Sequence, residues 1–307
     1  MRSILPRAAS GAAVLVLALC AGAFNPGVSA TAQRDSREQQ VVVSVVNRSG
    51  DPVEGLTPAD FVVREDGVAR EVLRVQQASA PMQIVLLVDT SHDTQTLLQD
   101  VREGLRALSN AIWTESPDSE ILLMEFGERP AQLTPPVTSA DADLLTRAVD
   151  RLFEHPGSGG YLLEALNEAT RLLGSRETAR PVIVVFVREG TREFSTLRSQ
   201  QLEAAVKASR AAVWAIVLQD GAGPDLSDET RQRDIVLGDV TTRSGGSRDI
   251  LLNRMGIEPE FRQLARRLTS QYVVTYGRPD SLIPPTRLEV TVRRPGARVM
   301  ASRWTEP

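Results

Sequence analysis

Side chains able to do chemistry gather where an apolar run stops. Ile84-Val85-Leu86-Leu87-Val88 gives way to Asp89-Thr90-Ser91-His92-Asp93. Carboxylate, hydroxyl and imidazole side by side invite a nucleophile-and-base reading. Ser91 and His92, however, are chain neighbours whose side chains cannot be assumed to meet, and no Ser/His/Asp order, cysteine nucleophile or metal-hydrolase motif is present. The only other histidine, His155, lies in a loop, and both histidines read as solvated loop residues. Gly157-Ser158-Gly159-Gly160 offers a glycine-rich turn, but it follows a helical pattern rather than a strand. Leu162 also stands at the last glycine position of a dinucleotide fingerprint. Asp141, Asp143 and Asp150 read as surface acids of a helix, and Trp113, Trp214 and Trp304 as core or edge fillers. The expectation is a protein that is not an enzyme.

The elements that must position these residues are legible from hydrophobic period. Ile84–Val88, Ile121–Phe126, Val182–Val187 and Val213–Leu218 are apolar runs of the kind that form strands buried on both faces. Helical spacing separates them. Leu97, Leu98, Val101, Leu105, Leu108 and Ile112 share one side, and further helices are expected at 140–153, 161–173, 197–211, around 228–242 and at 259–268. Strands alternating with helices imply an α/β fold, a doubly wound and mainly parallel sheet with helices on both faces. Gln271–Tyr276 is expected to follow the last helix as a strand of the same region.

Both ends of the chain carry β pattern. Val41–Val46, Phe61–Glu65 and Val72–Val75 read as strands, with Asp66-Gly67 a strong hairpin turn. At the far end Arg287–Val292 alternates cleanly, Pro295-Gly296 makes a turn, and Arg298–Trp304 is expected to pair back as a hairpin. Each fragment is too small to fold alone, so the two are expected to combine into one discontinuous β-sandwich. The organisation expected is a signal peptide over 1–32, half of the sandwich over 33–80, the α/β domain over 81–277, and a closing hairpin over 278–307.

Arg2 and Arg7 precede an apolar run from Ala12 to Phe24, followed by small residues to Ala32, the pattern of a secretory leader. The run is shorter than a full membrane span, so no span is expected once the leader is removed. Leu17-Ala18-Leu19-Cys20 approaches a lipoprotein signal, but Leu19 stands where a small residue is wanted, and Cys20 reads as an apolar residue of the leader. The expected location is periplasmic, cell-surface or secreted. A net charge of −4, with arginines spread among acids, argues against nucleic acid as a partner, and 4% aromatic residues leave few stacking platforms.

Leu86-Leu87-Val88-Asp89-Thr90-Ser91-His92-Asp93 resembles the first element of a von Willebrand factor A (vWA) domain, where an apolar strand ends in Asp-x-Ser-x-Ser. Gly55-Leu56-Thr57, Asp60-Phe61 and Glu65-Asp66-Gly67 resemble the opening of bacterial exported vWA-related proteins. Phe261–Ala265, Ser270-Gln271-Tyr272 and Val292–Gly296 resemble their end. The resemblance implies a divalent ion at the carboxyl edge of the sheet, held by Asp89, Ser91 and Asp93, with one open position for a carboxylate of a partner protein. Physics agrees about the place, since ligands of open α/β sheets sit outside the carboxyl ends where strand order reverses.

The sequence departs from that pattern at three positions. Asp93 replaces the second serine, Gly160 stands where a threonine is expected, and Arg188 stands at an aspartate position. Ser158 and Glu189 are nearby and are candidates to compensate. A guanidinium beside Asp89 and Asp93 would repel a cation and pair with the carboxylates, so Arg188 is expected to replace the ion. Ser158, Gly160, Arg188 and Glu189 are thus candidate partner-binding residues, and Mg²⁺ or another divalent cation is expected to bind weakly or not at all. The function implied is a protein-binding or adhesion module. The alternatives are a structural subunit of an envelope assembly with a non-functional site and, further off, an envelope hydrolase.

Overall fold

The computed structural model describes residues 38–92, 94–175, 180–219, 221, 226–279 and 283–305. The leader with Cys20, and Asp93, lie outside the described residues.

The chain enters through four strands, β1 (Glu38–Val46), β2 (Phe61–Glu65), β3 (Val68–Arg70) and β4 (Val72–Gln77). The α/β region then runs β5 (Gln83–Val88), α1 (Leu98–Glu115), β6 (Glu120–Glu125), β7 (Ala131–Gln132), α2 (Ala142–Asp150), α3 (Leu162–Gly174), β8 (Pro181–Arg188), α4 (Ser199–Ser209) and β9 (Ala212–Leu218). It continues through α5 (Asp228–Ile235), a π-helical turn at Val236–Val240, α6 (Thr241–Ser244), β10 (Arg248–Leu251) and α7 (Ile257–Thr269). The chain closes with β11 (Tyr272–Gly277), β12 (Leu288–Val292) and β13 (Arg298–Ala301).

The central sheet has the order β10-β9-β8-β5-β6-β7, parallel except for the short edge strand β7. Its strands are apolar throughout because both faces are covered. Ile84, Leu86 and Val88 pack with α1, α2 and α7, while Val85 and Leu87 pack with α3, α4 and the π-helical turn. β6 lies on one side of β5 and β8 on the other, so the order of strands reverses at β5. Chain leaving β5 and β8 therefore diverges from adjacent strand ends and opens a crevice there.

The two chain ends form the sandwich expected of them. One sheet has the order β13-β1-β11-β4 and the other β12-β2-β3, and they share a core of Val43, Val45, Phe61, Val63, Val274 and Leu288. Two details differ from the sequence expectation. Tyr272–Gly277 pairs antiparallel with β1 and β4 and belongs to the sandwich, while Arg248–Leu251 supplies the outer strand of the parallel sheet. The C-terminal strands pair back at their ends, where Arg287 and Trp304 form an antiparallel bridge and Leu288 N–H donates to Arg303 O at 2.9 Å. Along their lengths, however, β12 pairs with β2 and β13 with β1, so Pro295-Gly296 carries the chain between sheets. Placed on opposite sheets, the last two strands bring Leu288 and Val290 from one side and Val299 and Ala301 from the other to the shared core. Asp66 and Gly67, with φ of 47° and 83°, make the tight left-handed turn that the sequence announced.

Among the described residues no helix is long and apolar enough to cross a membrane.

Arg180 ties the sandwich to the α/β region. It is 5% exposed, and its guanidinium donates to the carbonyls of Ala78 (3.3 Å), Ala80 (2.8 Å) and Leu268 (2.6 Å) and to Gln271 Oε1 (2.8 Å). Burial lowers its pKa to about 10, which leaves it charged near neutrality. Replacing it by methionine removes the donors and strands buried carbonyls. We expect Arg180→Met to lose about 3 kcal/mol of stability or more in a urea titration.

Candidate functional site

Asp89 follows the last residue of β5, in the crevice where strand order reverses, and is 0% exposed. A buried carboxylate is costly unless its lone pairs are met. Here both oxygens are met by protein donors. Oδ1 accepts the N–H of Ser91 at 3.0 Å and the Ser91 hydroxyl, while Oδ2 accepts the N–H of Arg188 at 3.2 Å and the Thr191 hydroxyl at 3.0 Å. Ser91 Oγ and Thr191 Oγ1 lie 3.3 Å apart, so the three side chains form one buried cluster.

Arg188 meets Asp89 through its main-chain N–H, not through its guanidinium. Asp89 has no vacant lone pair for a guanidinium, because Thr191 and Ser91 occupy the remaining directions. The candidate compensators also point elsewhere. Ser158 donates its hydroxyl to the carbonyl of His155 at 2.7 Å, within its own turn. Glu189 accepts Gln219 Nε2 at 2.6 Å and faces Arg248 at 3.8 Å, toward β9 and β10. Gly160 lies beside the cluster, and a Cβ there would sit 3.4 Å from both Thr191 Cγ2 and Glu193 Oε2.

The residues that do complete the site come from the chain leaving β8. From Thr191 to Thr196 burial alternates strictly, with Thr191, Glu193 and Ser195 inward and Arg192, Phe194 and Thr196 outward. The segment runs parallel to the loop before α3: Gly160 N–H donates to Arg192 O at 2.7 Å, and Phe194 N–H donates to Gly160 O at 2.8 Å. Glu193 Oε1 accepts the N–H of Leu162 at 3.0 Å and the Ser195 hydroxyl, and Ser195 Oγ accepts the N–H of Leu163 at 3.0 Å. Glu193 and Ser195 thus cap α3, whose first N–H groups have no partner within the helix.

Arg233, on α5 and only 1% exposed, holds this segment from below by donating to Thr191 O at 2.7 Å and Glu189 O at 2.9 Å. Its charge also acts on the buried Glu193. Burial pushes the Glu193 carboxyl up to about 7, the charge of Arg233 works against that rise, and the charge of Asp89 adds to it.

His155 is less solvated than its loop suggested, whereas His92 is exposed as expected. His155 Nε2 lies 3.3 Å from Glu125 Oε1, its Nδ1 lies 3.9 Å from Glu128, and its N–H donates to Thr90 O at 2.8 Å. Thr90 in turn donates to Glu125 at 3.2 Å. His92 Nδ1 is 3.3 Å from Glu154. Neither contact is with Ser91, whose hydroxyl is committed to Asp89. A Cβ at Gly127 would lie 2.5 Å from the main chain of Thr90, so the exit from β6 can pass this close only as glycine.

Residues 84–190 match the family profile described as von Willebrand factor type A domain. This protein carries a vWA domain. No curated protein matches it. Among solved structures it is similar to a von Willebrand factor type A protein from Catenulispora acidiphila, with 13% identity and a TM-score of 0.50 over 89% of this chain and 76% of that one. It is also similar to the pilus adhesin SpaC from Lactobacillus rhamnosus GG in its open conformation, with 11% identity and a TM-score of 0.50. That match covers 85% of this chain and 46% of SpaC, so the chain spans less than half of the adhesin's length. At these identities the likeness concerns the fold.

A divalent ion implied by the vWA fold would need several hard oxygens with free lone pairs, carboxylates among them. Among the described residues the cluster offers one carboxylate, Asp89, whose oxygens already take four protein donors, and the hydroxyls of Ser91 and Thr191. Gly160 brings no side-chain oxygen and position 188 brings a cation. That set is a poor match to the ion.

The pH dependence of the site follows from Glu193. Its folded pKa of about 7 lies above the ordinary carboxylate value of 4.5, so the folded state holds a proton that the unfolded chain releases. The contribution is fully present below pH ~4.5 and is lost as pH rises to about 7. Stability of the wild type relative to Glu193→Gln should fall by about 3 kcal/mol across that window. Urea titrations of both proteins at several pH values check this, and parallel curves would refute it.

Proposed function

We propose that this protein is an exported binding module whose vWA domain engages a partner protein at the carboxyl edge of its sheet, without catalysis. The observation that carries the reading is the saturation of Asp89 by Ser91, Arg188 and Thr191 at the fold's ligand crevice. A carboxylate so committed is not a general base. Ser91, whose hydroxyl donates to Asp89 and meets no imidazole among the described residues, is not an activated nucleophile. What the crevice can offer is a rigid rim around a filled centre.

On this reading the site is a degenerate form of the metal-dependent one and binds divalent ions weakly or not at all. The internal donors, with Arg233 beneath them, supply the electrostatic balance. The adhesion character follows from the fold shared with SpaC, and the export from the apolar leader at Ala12–Phe24.

Two measurements test it. Melting curves with Mg²⁺, Mn²⁺, Ca²⁺ and chelator should coincide for the wild type. An ion at a hundred times its dissociation constant would add ~2.7 kcal/mol, and such a shift would overturn the degenerate-site reading. For the partner, a photo-crosslinker at Phe153, 57% exposed near the site, should capture protein from an envelope extract, whereas one at Leu73 on the sandwich edge should not. Capture at Leu73 alone would favour a structural subunit that makes its contacts through the sandwich.

A further inference from the structure

Phe194 is an aromatic side chain held in place and left uncovered. It is 38% exposed, on the outward row of the extended segment that closes the site. Its ring rests on Gly159, where a Cβ would lie 2.2 Å from Phe194 Cδ2, so only glycine admits the ring. The Tyr161 ring flanks it at 6.0 Å, and the guanidinium of Arg192 lies over it, 5.2 Å from the ring centre. Among the described residues Arg192 is paired with no carboxylate. An arginine stacked on an aromatic ring keeps its planar fork of donors oriented for a bidentate acceptor.

A cleft of about 400 Å³ opens beside this pair, walled by Arg198, Ser227, Glu229 and Gln232. Arg198 is already bound to Asp228, which leaves Arg192 as the cation available to a ligand. Of the two acids that face the cleft, Glu229 stands on the wall and Glu193 on the floor. Burial holds the latter partly protonated near neutrality, which weakens its repulsion of an anion. The outward residues recur at every second position, about 6.6 Å apart, the repeat of alternate side chains in any extended strand.

We propose that Arg192 and Phe194 form a docking platform for an extended acidic segment of a partner protein. A carboxylate of that segment pairs with the Arg192 guanidinium, and a neighbouring apolar side chain covers Phe194. The platform requires no ion. It rests on the binding-module reading and names the chemistry that the partner brings.

The test uses the whole protein and a defined probe, the peptide acetyl-Glu-Leu-Glu-Leu-Glu-amide, with the lysine-for-glutamate peptide as control, titrated by calorimetry in the presence of chelator. The acidic peptide should bind, the basic one should not, and affinity should weaken as salt rises. Arg192→Ala and Phe194→Ala should each weaken binding at least tenfold. Gly159→Ala, which displaces the ring without altering charge, should weaken it too, while Arg147→Ala, on the exposed side of α2, should not. Equal binding of both peptides, an Arg192→Ala protein that binds unchanged, or no binding except to anionic lipid vesicles would overturn the platform. If the peptide fails while the Phe153 crosslinker still captures a partner, the platform falls and the binding module stands. If both fail, the reading beneath it falls as well.

Discussion

A carboxylate at the end of a strand buried on both faces is the constraint around which the upper side of this molecule is built. Asp89 has no access to water, so its charge must be met by neighbours. Four donors meet it, and they come from two diverging segments, the turn after β5 and the chain after β8. Satisfying Asp89 therefore fixes both segments at once. Once Thr191 is held against Asp89, the residues after it must run along Gly160, and Glu193 and Ser195 fall where they cap α3. The rim that a partner would meet is a consequence of this internal requirement.

Arginine is the means by which distant parts of the chain are held. Lys207 is the single lysine, and three arginines are almost fully enclosed: Arg180, Arg233 and Arg267 are 5%, 1% and 4% exposed. Arg180 and Arg233 spread their donors over main-chain carbonyls, while Arg267 combines one carbonyl with the carboxylates of Asp249 and Glu260. Arg180 joins the sandwich to the sheet, Arg233 holds the chain after β8, and Arg267 joins Gly50 to Asp249 of β10. A lysine has a compact charge and could not span such sets, whereas a guanidinium carries five donors in a plane. The excess of arginine visible in the composition thus has a structural use, although composition alone does not say which arginines are buried.

The fold was legible because its information is local. Unbroken apolar runs marked the four central strands, helical spacing placed α1, and Asp66-Gly67 announced its turn. The motif residues around it also have local roles: Asp60 accepts the N–H and hydroxyl of Thr57 at 2.8 Å each, and Phe61 enters the sandwich core. What was not legible depends on pairing across long distances. Tyr272–Gly277 looks like any strand that follows a helix, and only its match to β1 and β4 sends it to the sandwich. Thr191, Glu193 and Arg233 carried no signal, since polar residues after a strand read as a loop. The alternation from Thr191 to Thr196 is one of burial and not of residue size, so the sequence does not announce that this loop is extended.

At Arg188 it is the main chain that meets Asp89. The argument from charge was sound: a cation near Asp89 lowers the cost of burying it. At the motif position the main chain contributes an N–H to Asp89. An enclosed cation also stands on α5, at Arg233, which donates to the carbonyls of Glu189 and Thr191. Gly160 pairs its main chain with the facing segment, donating to Arg192 O and accepting from Phe194 N–H. The strand that pairs here turns Arg192 and Phe194 outward. Filling the site from within and turning Arg192 and Phe194 outward are therefore two faces of the same six residues.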